Sequence, residues 1–329
     1  MHPSRVGALV RFISMLQHTF LALSRAGWAQ RLITQMPVSR QMAQRFVSGE
    51  TIGAAIAAVR ALNAKGLYAT LDFLGESVTN RAEAKGAADE YLRALDEIAA
   101  GGVCSNVSLK LTQFGLDLDY DFCRQNVRRV VACARSHGNF VRVDMEGTPH
   151  TDRTLAIVRE LHREFDNIGA VIQAYLYRSE ADLIALADAG IRIRLCKGAY
   201  REPPDKAYPH KADVDANYVK LARLLLDRSA NVRRSDDGRT PPLAALATHD
   251  EKMIAAAKAY AEERHIPRDQ FEFQMLYGVR RELQERLAAE GYAVRVYVPY
   301  GTHWYPYFMR RLAERPANVW FFMRSVFSK

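Results

Sequence analysis

The sequence lacks the marks of several common chemistries. Its four cysteines, Cys104, Cys123, Cys133 and Cys196, form no C-x-x-C pair, and no two histidines stand close enough to complete a zinc pattern. Neither a structural metal nor a redox dithiol is indicated, no metal ligands are assigned, and reduced thiols in a cytoplasmic setting are the expectation. There is no G-x-G-x-x-G and no Walker loop, so a glycine-rich phosphate turn after a first strand is absent. The nearest approach to a membrane span, residues 8–24, is too short and is interrupted by Arg11, Gln17 and His18. It reads as an amphipathic helix; as a signal peptide it lacks a clear small-x-small cleavage site. Internal repeats and low-complexity tracts are missing too.

What is present is ordinary globular material: 329 residues, 49% hydrophobic and 25% charged. That is enough chain for one large core or two smaller ones, and it excludes disorder, collagen and a disulfide scaffold. The formal charge is +9, and six arginines against one glutamate in the first 50 residues (Arg5, Arg11, Arg25, Arg31, Arg40, Arg45; Glu50) supply +5 of it. The basic excess therefore sits in an N-terminal arm. Such an arm suits an anionic partner or a membrane surface, and a solvated charged face accounts for it equally simply.

Beyond the arm, short apolar or β-branched runs alternate with polar loops and amphipathic stretches, the pattern of parallel strands joined by crossover helices. Eight strands are expected, at 67–74, 104–109, 140–145, 170–175, 191–196, 243–247, 271–275 and 293–298. Eight such units in roughly 260 residues fit a (βα)8, TIM-like barrel. Residues 1–60 are expected to form an N-terminal helical arm packed on a barrel of residues 61–329. Two long connections stand out: 201–217, with Pro203, Pro204 and Pro209, and 228–242, which reads as a surface excursion at the opposite end.

In such a barrel the chemistry sits at the C-terminal ends of the strands. Those ends carry Asp72, Lys110, Asp144 with Glu146, Gln173, Arg194 with Lys197, Thr248 with His249, Gln274 and Tyr297. Polar residues are common in such loops, but charges within the strand pattern itself, at Lys110, Asp144 and Arg194, are costly to bury without partners. Near the C-terminus, Tyr307, Arg310, Arg311 and Glu314 share one helical face. Two adjacent guanidinium groups there suit a carboxylate or phosphate, with Glu314 one turn on to steady them; an exposed Arg310–Glu314 surface pair explains the same spacing. In RLCKGAYRE, Gly198 and Ala199 let a flat ligand approach the backbone, while Lys197 admits Schiff-base chemistry with a carbonyl substrate. His249 suits a ligand contact or a backbone-satisfied imidazole. Asp144, sharing a strand face with Arg142, can orient a donor, position substrate or take a proton, and the pattern alone does not choose.

Taken together, SLKLTQFG (108–115), VRVDMEG (141–147), QAY (173–175), RLCKGAYRE (194–202), ATHD (247–250), EFQMLYG (272–278) and RVYVPYGTHWYPYFMRRLAERPAN (295–318) resemble the proline dehydrogenase family, FAD-dependent (βα)8 enzymes, in its compact bacterial single-function form. The resemblance runs from about Leu67 to the C-terminus. It implies that Lys110, Arg310 and Arg311 hold the carboxylate of L-proline, with Glu314 supporting the arginines. Tyr200, Leu276, Tyr297 and Tyr307 match the groups that enclose the substrate ring. Asp144 and Arg194 match residues with active-site roles, and Met145, Gln173, Arg194, Lys197, Gly198, Ala199, Thr248 and His249 fall on FAD-binding positions. The implied reaction is hydride transfer from proline C5 to flavin N5, giving Δ1-pyrroline-5-carboxylate, with electrons passed to a membrane quinone. A quinone acceptor would give the basic arm a purpose as a peripheral membrane contact. No aldehyde dehydrogenase domain fits on this chain, so a separate pyrroline-5-carboxylate dehydrogenase is expected to consume the product.

Three rival readings remain beside this one. A flavin enzyme acting on hydroxyproline or another cyclic amine is opposed by the bulk of Tyr297. An aldolase would use Lys197 to form an imine. A nucleic-acid binder would interleave clustered Lys and Arg with exposed aromatics, whereas here the informative basic residues sit at strand ends beside carboxylates, and no nucleic-acid partner is expected.

Overall fold

The computed structural model describes residues 43–314. Most of the expected arm, including the amphipathic stretch 8–24, lies outside the described residues. Eight strands, β1 (Tyr68–Phe73), β2 (Ser105–Leu109), β3 (Val141–Val143), β4 (Ile168–Gln173), β5 (Arg192–Cys196), β6 (Ala244–Ala247), β7 (Phe271–Leu276) and β8 (Ala293–Tyr300), pair in sequence order and close into a barrel. All eight pairings are parallel, and β1 meets β8 from Tyr68 opposite Arg295 to Phe73 opposite Tyr300. Every expected strand exists. Most boundaries fall within two residues, but β3 is shorter than expected at both ends, and β4 begins and ends two residues early, leaving Tyr175 in the loop beyond it.

Around the sheet stand α1 (Ile52–Asn63), α2 (Arg81–Gly101), α3 (Tyr120–Ser136), α4 (Thr148–His162), α5 (Ser179–Asp188), α6 (Lys211–Asp227), α7 (Glu251–Glu263), α8 (Arg281–Ala289) and α9 (Trp304–Glu314). Local chemistry fixes their ends. Asn80 accepts from the Glu83 amide while Glu83 accepts from the Thr79 amide, and Asp119 accepts from the Phe122 amide. Gly102 closes α2 in the left-handed conformation at φ 60°. Among the described residues, no helix is long and apolar enough to cross a membrane.

Strand alternation sorts the side chains into two layers. Leu71, Val107, Val143, Ile172, Leu195, Leu246, Phe273 and Val296 face the helices and are buried. The intervening positions face inward, and there the barrel is unusually polar. Arg194 on β5 bonds Ser108 on β2 and Gln274 on β7, a reach possible only through the interior. Lower down, Arg295 donates to both carboxylate oxygens of Glu272, at 2.8 and 3.0 Å, with both side chains fully buried. Arg142 donates to the carbonyls of Ala170 and Arg192, and burial, with repulsion from Arg194 added, pushes its pKa well below the ordinary guanidinium value.

Two loop expectations are corrected. The connection after β5 is shorter than expected, because Lys211 already starts α6. The segment 228–242 is not a surface excursion. The Gly238 carbonyl accepts from Arg295 and the Arg239 carbonyl accepts from Asn106, so the chain stoppers the foot of the barrel. Gly238 is required there: its φ is +69°, and a Cβ would stand 2.1 Å from the Tyr68 ring. The wet composition of RSANVRRSDDGRTPP hid this, since its backbone carbonyls rather than its side chains meet the buried groups.

Candidate functional site

The C-terminal mouth of the barrel is organised around Asp144, immediately beyond β3. Its Oδ1 accepts from Ser108 Oγ and from Arg194 Nη1, each at 2.7 Å, and its Oδ2 accepts from the Tyr297 hydroxyl at 2.8 Å and from Lys110 Nζ at 3.4 Å. Burial works against the charge, but Lys110 and then Arg194 outweigh it, with the Ser108 and Tyr297 hydrogen bonds adding, so the carboxyl titrates below its usual range. A carboxylate ionised and occupied by four donors orients its neighbours; it is poorly placed to take a proton. Among the roles open to Asp144, orienting its neighbours suits this arrangement best.

Lys110, just past β2, is shared. Nζ also donates to Asp72 Oδ1 at 3.1 Å and to the Tyr297 hydroxyl at 3.2 Å. Burial acts to lower its pKa, yet Asp72 and Asp144 raise it well above the usual lysine value, so it is an ammonium. Asp72 is buried, its Oδ2 has no hydrogen-bond partner, and burial raises its pKa. Two carboxyl groups, one ammonium and one guanidinium thus gather within the mouth.

Above this group stands α9. Arg310 Nη1 donates to Glu76 Oε1 at 2.5 Å, Glu76 lying in the loop between β1 and α2. Burial opposes the charge on Arg310, but Glu76 wins and holds the pKa above its ordinary value. Glu76 was not singled out in the sequence, where Glu314 is the expected support; the observed partner of Arg310 comes from the other end of the chain, and the side chain of Glu314 lies outside the described ones. The helix is braced from below by Phe46, whose ring lies 6.4 Å from that of Phe308. The Arg311 guanidinium stands 5.1 Å over the Tyr307 ring, and Tyr307 is buried. Tyr200 is 37% exposed and feels the fields of Lys110, Glu146, Glu76 and Arg310, with burial the main cause of its raised pKa. Tyr200, in the loop after β5, thus lies within electrostatic reach of both Arg310 and Lys110.

The remaining expected residues form the other flank. Lys197 Nζ donates to Asp215 Oδ1 at 2.5 Å and to Asp250 Oδ2 at 2.8 Å. Burial tends to lower its pKa, but the two aspartates raise it, so the amine is protonated and the imine route of an aldolase loses its nucleophile. Gly198 has φ +122°, and a Cβ there would stand 2.2 Å from the Tyr175 ring. Gln173 donates through Nε2 to the Glu146 carbonyl at 3.0 Å and accepts from the Ala199 amide at 3.3 Å, tying β4 to the loops beside it. Met145 and Thr248 are buried, and the Thr248 hydroxyl accepts from the Asp250 amide. His249 Nε2 accepts from the Leu276 amide at 2.9 Å, which fixes the tautomer and joins two of the expected residues.

Ser108, Glu76 and the inward pair Glu272–Arg295 are the parts of the site that sequence reasoning missed. Ser108 lies within SLKLTQFG, and period-two alternation from Lys110 would have found it. Away from the mouth, Asp96 on α2 gathers with Cys133 and His137 at α3, the His137 Nε2 hydrogen-bonding Asp96 at 2.8 Å. Linear spacing could not reveal that grouping, because its members come from two helices.

Comparison with known proteins agrees with this architecture. The proline dehydrogenase family model matches residues 55–324. Proline dehydrogenase 1 of Bacillus subtilis (strain 168) is 42% identical over 318 residues, covering 96% of this chain and 100% of the relative. Proline dehydrogenase of Deinococcus radiodurans is 43% identical over 290 residues, covering 87% of this chain and 90% of its own. Among solved structures, proline utilization A (PutA) from Bdellovibrio bacteriovorus, inactivated by N-propargylglycine, superposes with a TM-score of 0.74 at 29% identity, over 83% of this chain and 32% of that longer one. With a matching family model over most of its length and relatives aligned nearly end to end, the chain belongs to the proline dehydrogenase family, enzymes of the first step of proline catabolism.

Proposed function

We propose that the protein oxidises L-proline to Δ1-pyrroline-5-carboxylate with FAD as its cofactor. The observation that carries the reading is the gathering of Lys110, Arg194 and Tyr297 around Asp144 at the barrel mouth, with the Arg310–Glu76 pair within electrostatic reach of Lys110. A substrate carboxylate is an anion that could exchange with Glu76 at Arg310. In binding it would displace Glu76 from Arg310 and gain charge-assisted hydrogen bonds, with Arg311 beside it. Tyr297, fixed by Lys110 and Asp144, and Tyr200 and Tyr307 would enclose the ring and exclude water, with Leu276 adding apolar surface.

The chain fits a flavin. Arg194 is held through Nε by Gln274 and through Nη1 by Asp144 and Ser108, and Nη2 has no hydrogen-bond partner among the described residues. Lys197 spends two of its three N–H bonds on Asp215 and Asp250, leaving one for an anionic group such as the pyrophosphate. The side-chain-free backbone at Gly198 and the small Ala199 admit close approach of a flat ring. When bound, FAD supplies a hydride acceptor at N5. Arg194 would then favour negative charge on the reduced ring, while Met145, Gln173, Thr248 and His249 shape its seat. The substrate nitrogen would have to be unprotonated for its lone pair to assist hydride departure. Clamping the carboxylate would restrict how the substrate ring can lie against the flavin.

Electrons would pass to a membrane quinone, and the basic first 50 residues suit a peripheral contact with anionic lipid. The product would go to a separate dehydrogenase. The deciding experiment is the anaerobic visible spectrum of the purified protein before and after L-proline. A flavin spectrum that bleaches with L-proline, and much less with trans-4-hydroxy-L-proline, supports the whole reading. Bleaching with another amine alone overturns the substrate, and a colourless protein that FAD does not reconstitute overturns the cofactor. Liposome flotation tests the arm: equal binding of full-length and arm-deleted protein to anionic vesicles overturns the membrane contact.

A further inference from the structure

Arg194 is reached from below by a run of buried polar groups that the proposed chemistry leaves unused. Arg295 on β8 grips Glu272 with two hydrogen bonds, Glu272 Oε1 also accepts from Gln274 Nε2 at 2.5 Å, and Gln274 Oε1 accepts from Arg194 Nε at 2.5 Å. Glu272 and Gln274 alternate along β7 and point to the same interior, and Arg295 is directly opposite Gln274 in the β7–β8 register. All four side chains are buried. Burying Glu272 with Arg295 is expensive, and replacing such a pair by apolar groups is often neutral or stabilising, so packing alone gives little reason to keep it.

The direction of the run matters. A glutamine amide has a donor end and an acceptor end that differ little in size. An ionised Glu272 only accepts and a guanidinium only donates, so the amide has one orientation that satisfies both: nitrogen down to Glu272, oxygen up to Arg194. The reversed amide would set oxygen against carboxylate and N–H against guanidinium. Arg295 anchors Glu272 and is itself anchored by the carbonyls of Ala69 and Gly238. Arg194 is then gripped on two edges, Nε by Gln274 and Nη1 by Asp144 and Ser108, which fixes the guanidinium plane and the aim of Nη2.

We propose that Gln274 and Glu272 are positioning residues for Arg194, Glu272 fixing the orientation of the Gln274 amide and Gln274 in turn fixing the guanidinium that faces the flavin. The inference rests on the reading of Arg194 as the group beside the flavin. It separates two functions of the mouth: Lys110, Arg310 and Arg311 hold the substrate carboxylate, and the β7 run sets the electrostatics of the acceptor.

The test uses the purified holoenzyme and its Gln274→Met variant, which keeps side-chain volume, leaves Glu272 paired with Arg295 and removes both the oxygen that receives Arg194 and the N–H that reaches Glu272. Three quantities are read: the midpoint potential of the bound flavin by anaerobic dye-coupled titration, the saturating rate of bleaching by L-proline, and the L-proline concentration at half that rate. The expected result is retained flavin, a more negative potential, and a rate lower by about 10- to 100-fold. The half-saturating concentration should move by less than about threefold, because uniform binding is untouched. Gln274→Glu, which beside Glu272 holds a proton between the two carboxyls and keeps its other oxygen for Arg194 Nε, should recover most of the lost rate. Glu272→Gln should slow the parent enzyme, where the amide can then reverse, and have little further effect in the Gln274→Glu background, where orientation no longer matters.

An unchanged potential and rate in Gln274→Met overturns the proposal, as does a loss confined to melting temperature or to substrate affinity, or a Gln274→Glu variant no better than Gln274→Met. Failure of Glu272→Gln to fold leaves the comparison of the two Gln274 variants to decide. A wild-type flavoprotein that L-proline does not bleach overturns the substrate alone, and the potential shift still judges the positioning of Arg194; a protein that takes up no flavin overturns both.

Discussion

Arg310 and Glu76 are hydrogen-bonded at 2.5 Å although 234 residues separate them in the chain. The pair joins the loop after the first strand to the helix after the last, at the point where the barrel closes. On the proposed reading a substrate carboxylate would compete with Glu76 for the same guanidinium.

Replacing that guanidinium therefore has a specific consequence. Arg310→Met or Arg311→Met should weaken L-proline binding by about 1.5–3 kcal/mol each, roughly 10- to 150-fold, the range for a hydrogen bond to a charged group. The flavin spectrum should persist. Titrating bleaching against L-proline measures this, and an unchanged half-saturation in either variant would remove that arginine from the carboxylate clamp.

Tyr297 combines two properties that substitution can separate. Tyr297→Phe deletes the hydroxyl bonded to Asp144 and Lys110, which should cost about 1–2 kcal/mol of stability and slow turnover while the preference for proline over its 4-hydroxy derivative remains. Tyr297→Ser removes the ring as well and should narrow that preference. Equal discrimination by wild type and Tyr297→Ser would show that the ring does not occupy the space a 4-hydroxyl needs.

Lys197 links acid stability to cofactor binding. The first cause of the lowered Asp250 pKa is its hydrogen bond from Lys197; Asp215 is lowered too, with the Lys197 and Lys211 bonds overcoming burial. Carboxyls depressed on folding stabilise the protein fully above their unfolded pKa near ~4 and lose that contribution as pH falls through the folded value. Lys197→Met should thus be less stable at neutral pH, with a melting temperature that falls less steeply from about pH 5 downward. Flavin affinity should drop as well. Parallel melting curves for the two proteins across the acid range would contradict this account.

Gly198→Ala tests the backbone path beside the proposed flavin seat. The residue holds φ +122°, and the added methyl meets the Tyr175 ring at 2.2 Å, so the loop must shift. A strained position of this kind costs on the order of 1–3 kcal/mol. Both melting temperature and flavin retention should fall, and a variant that melts as wild type does would mean that the loop relaxes without cost.

How far the sequence reveals this molecule depends on whether a feature is local. The strands were legible because inward and outward residues alternate, as at Arg142 and Val143 on β3 and Asp144 just beyond it, and because a charge such as Arg194 within an apolar run demands a partner. Lys110, Asp144, Arg194 and Tyr297 could be placed at one mouth because a barrel brings strand ends together. Glu76 was illegible: one glutamate in a loop carries no periodicity, and its partner lies near the other end of the chain. The stopper at 228–242 was misread for a different reason, since Gly238 and Arg239 make their buried contacts through carbonyl oxygens, which every residue possesses. Glu272 was hidden in plain view within EFQMLYG, on the inward phase shared by Gln274, because a charged residue at a strand start reads as solvent-facing.

The stopper also gives the barrel two unlike ends. Gly238 and Arg239 plug the foot with backbone carbonyls, and the polar groups around Asp144 gather at the other end, on the side of the Arg310–Glu76 pair. On the proposed reading, proline and product would share the one seat at that end. Added Δ1-pyrroline-5-carboxylate should then raise the half-saturating concentration of L-proline and leave the saturating rate unchanged.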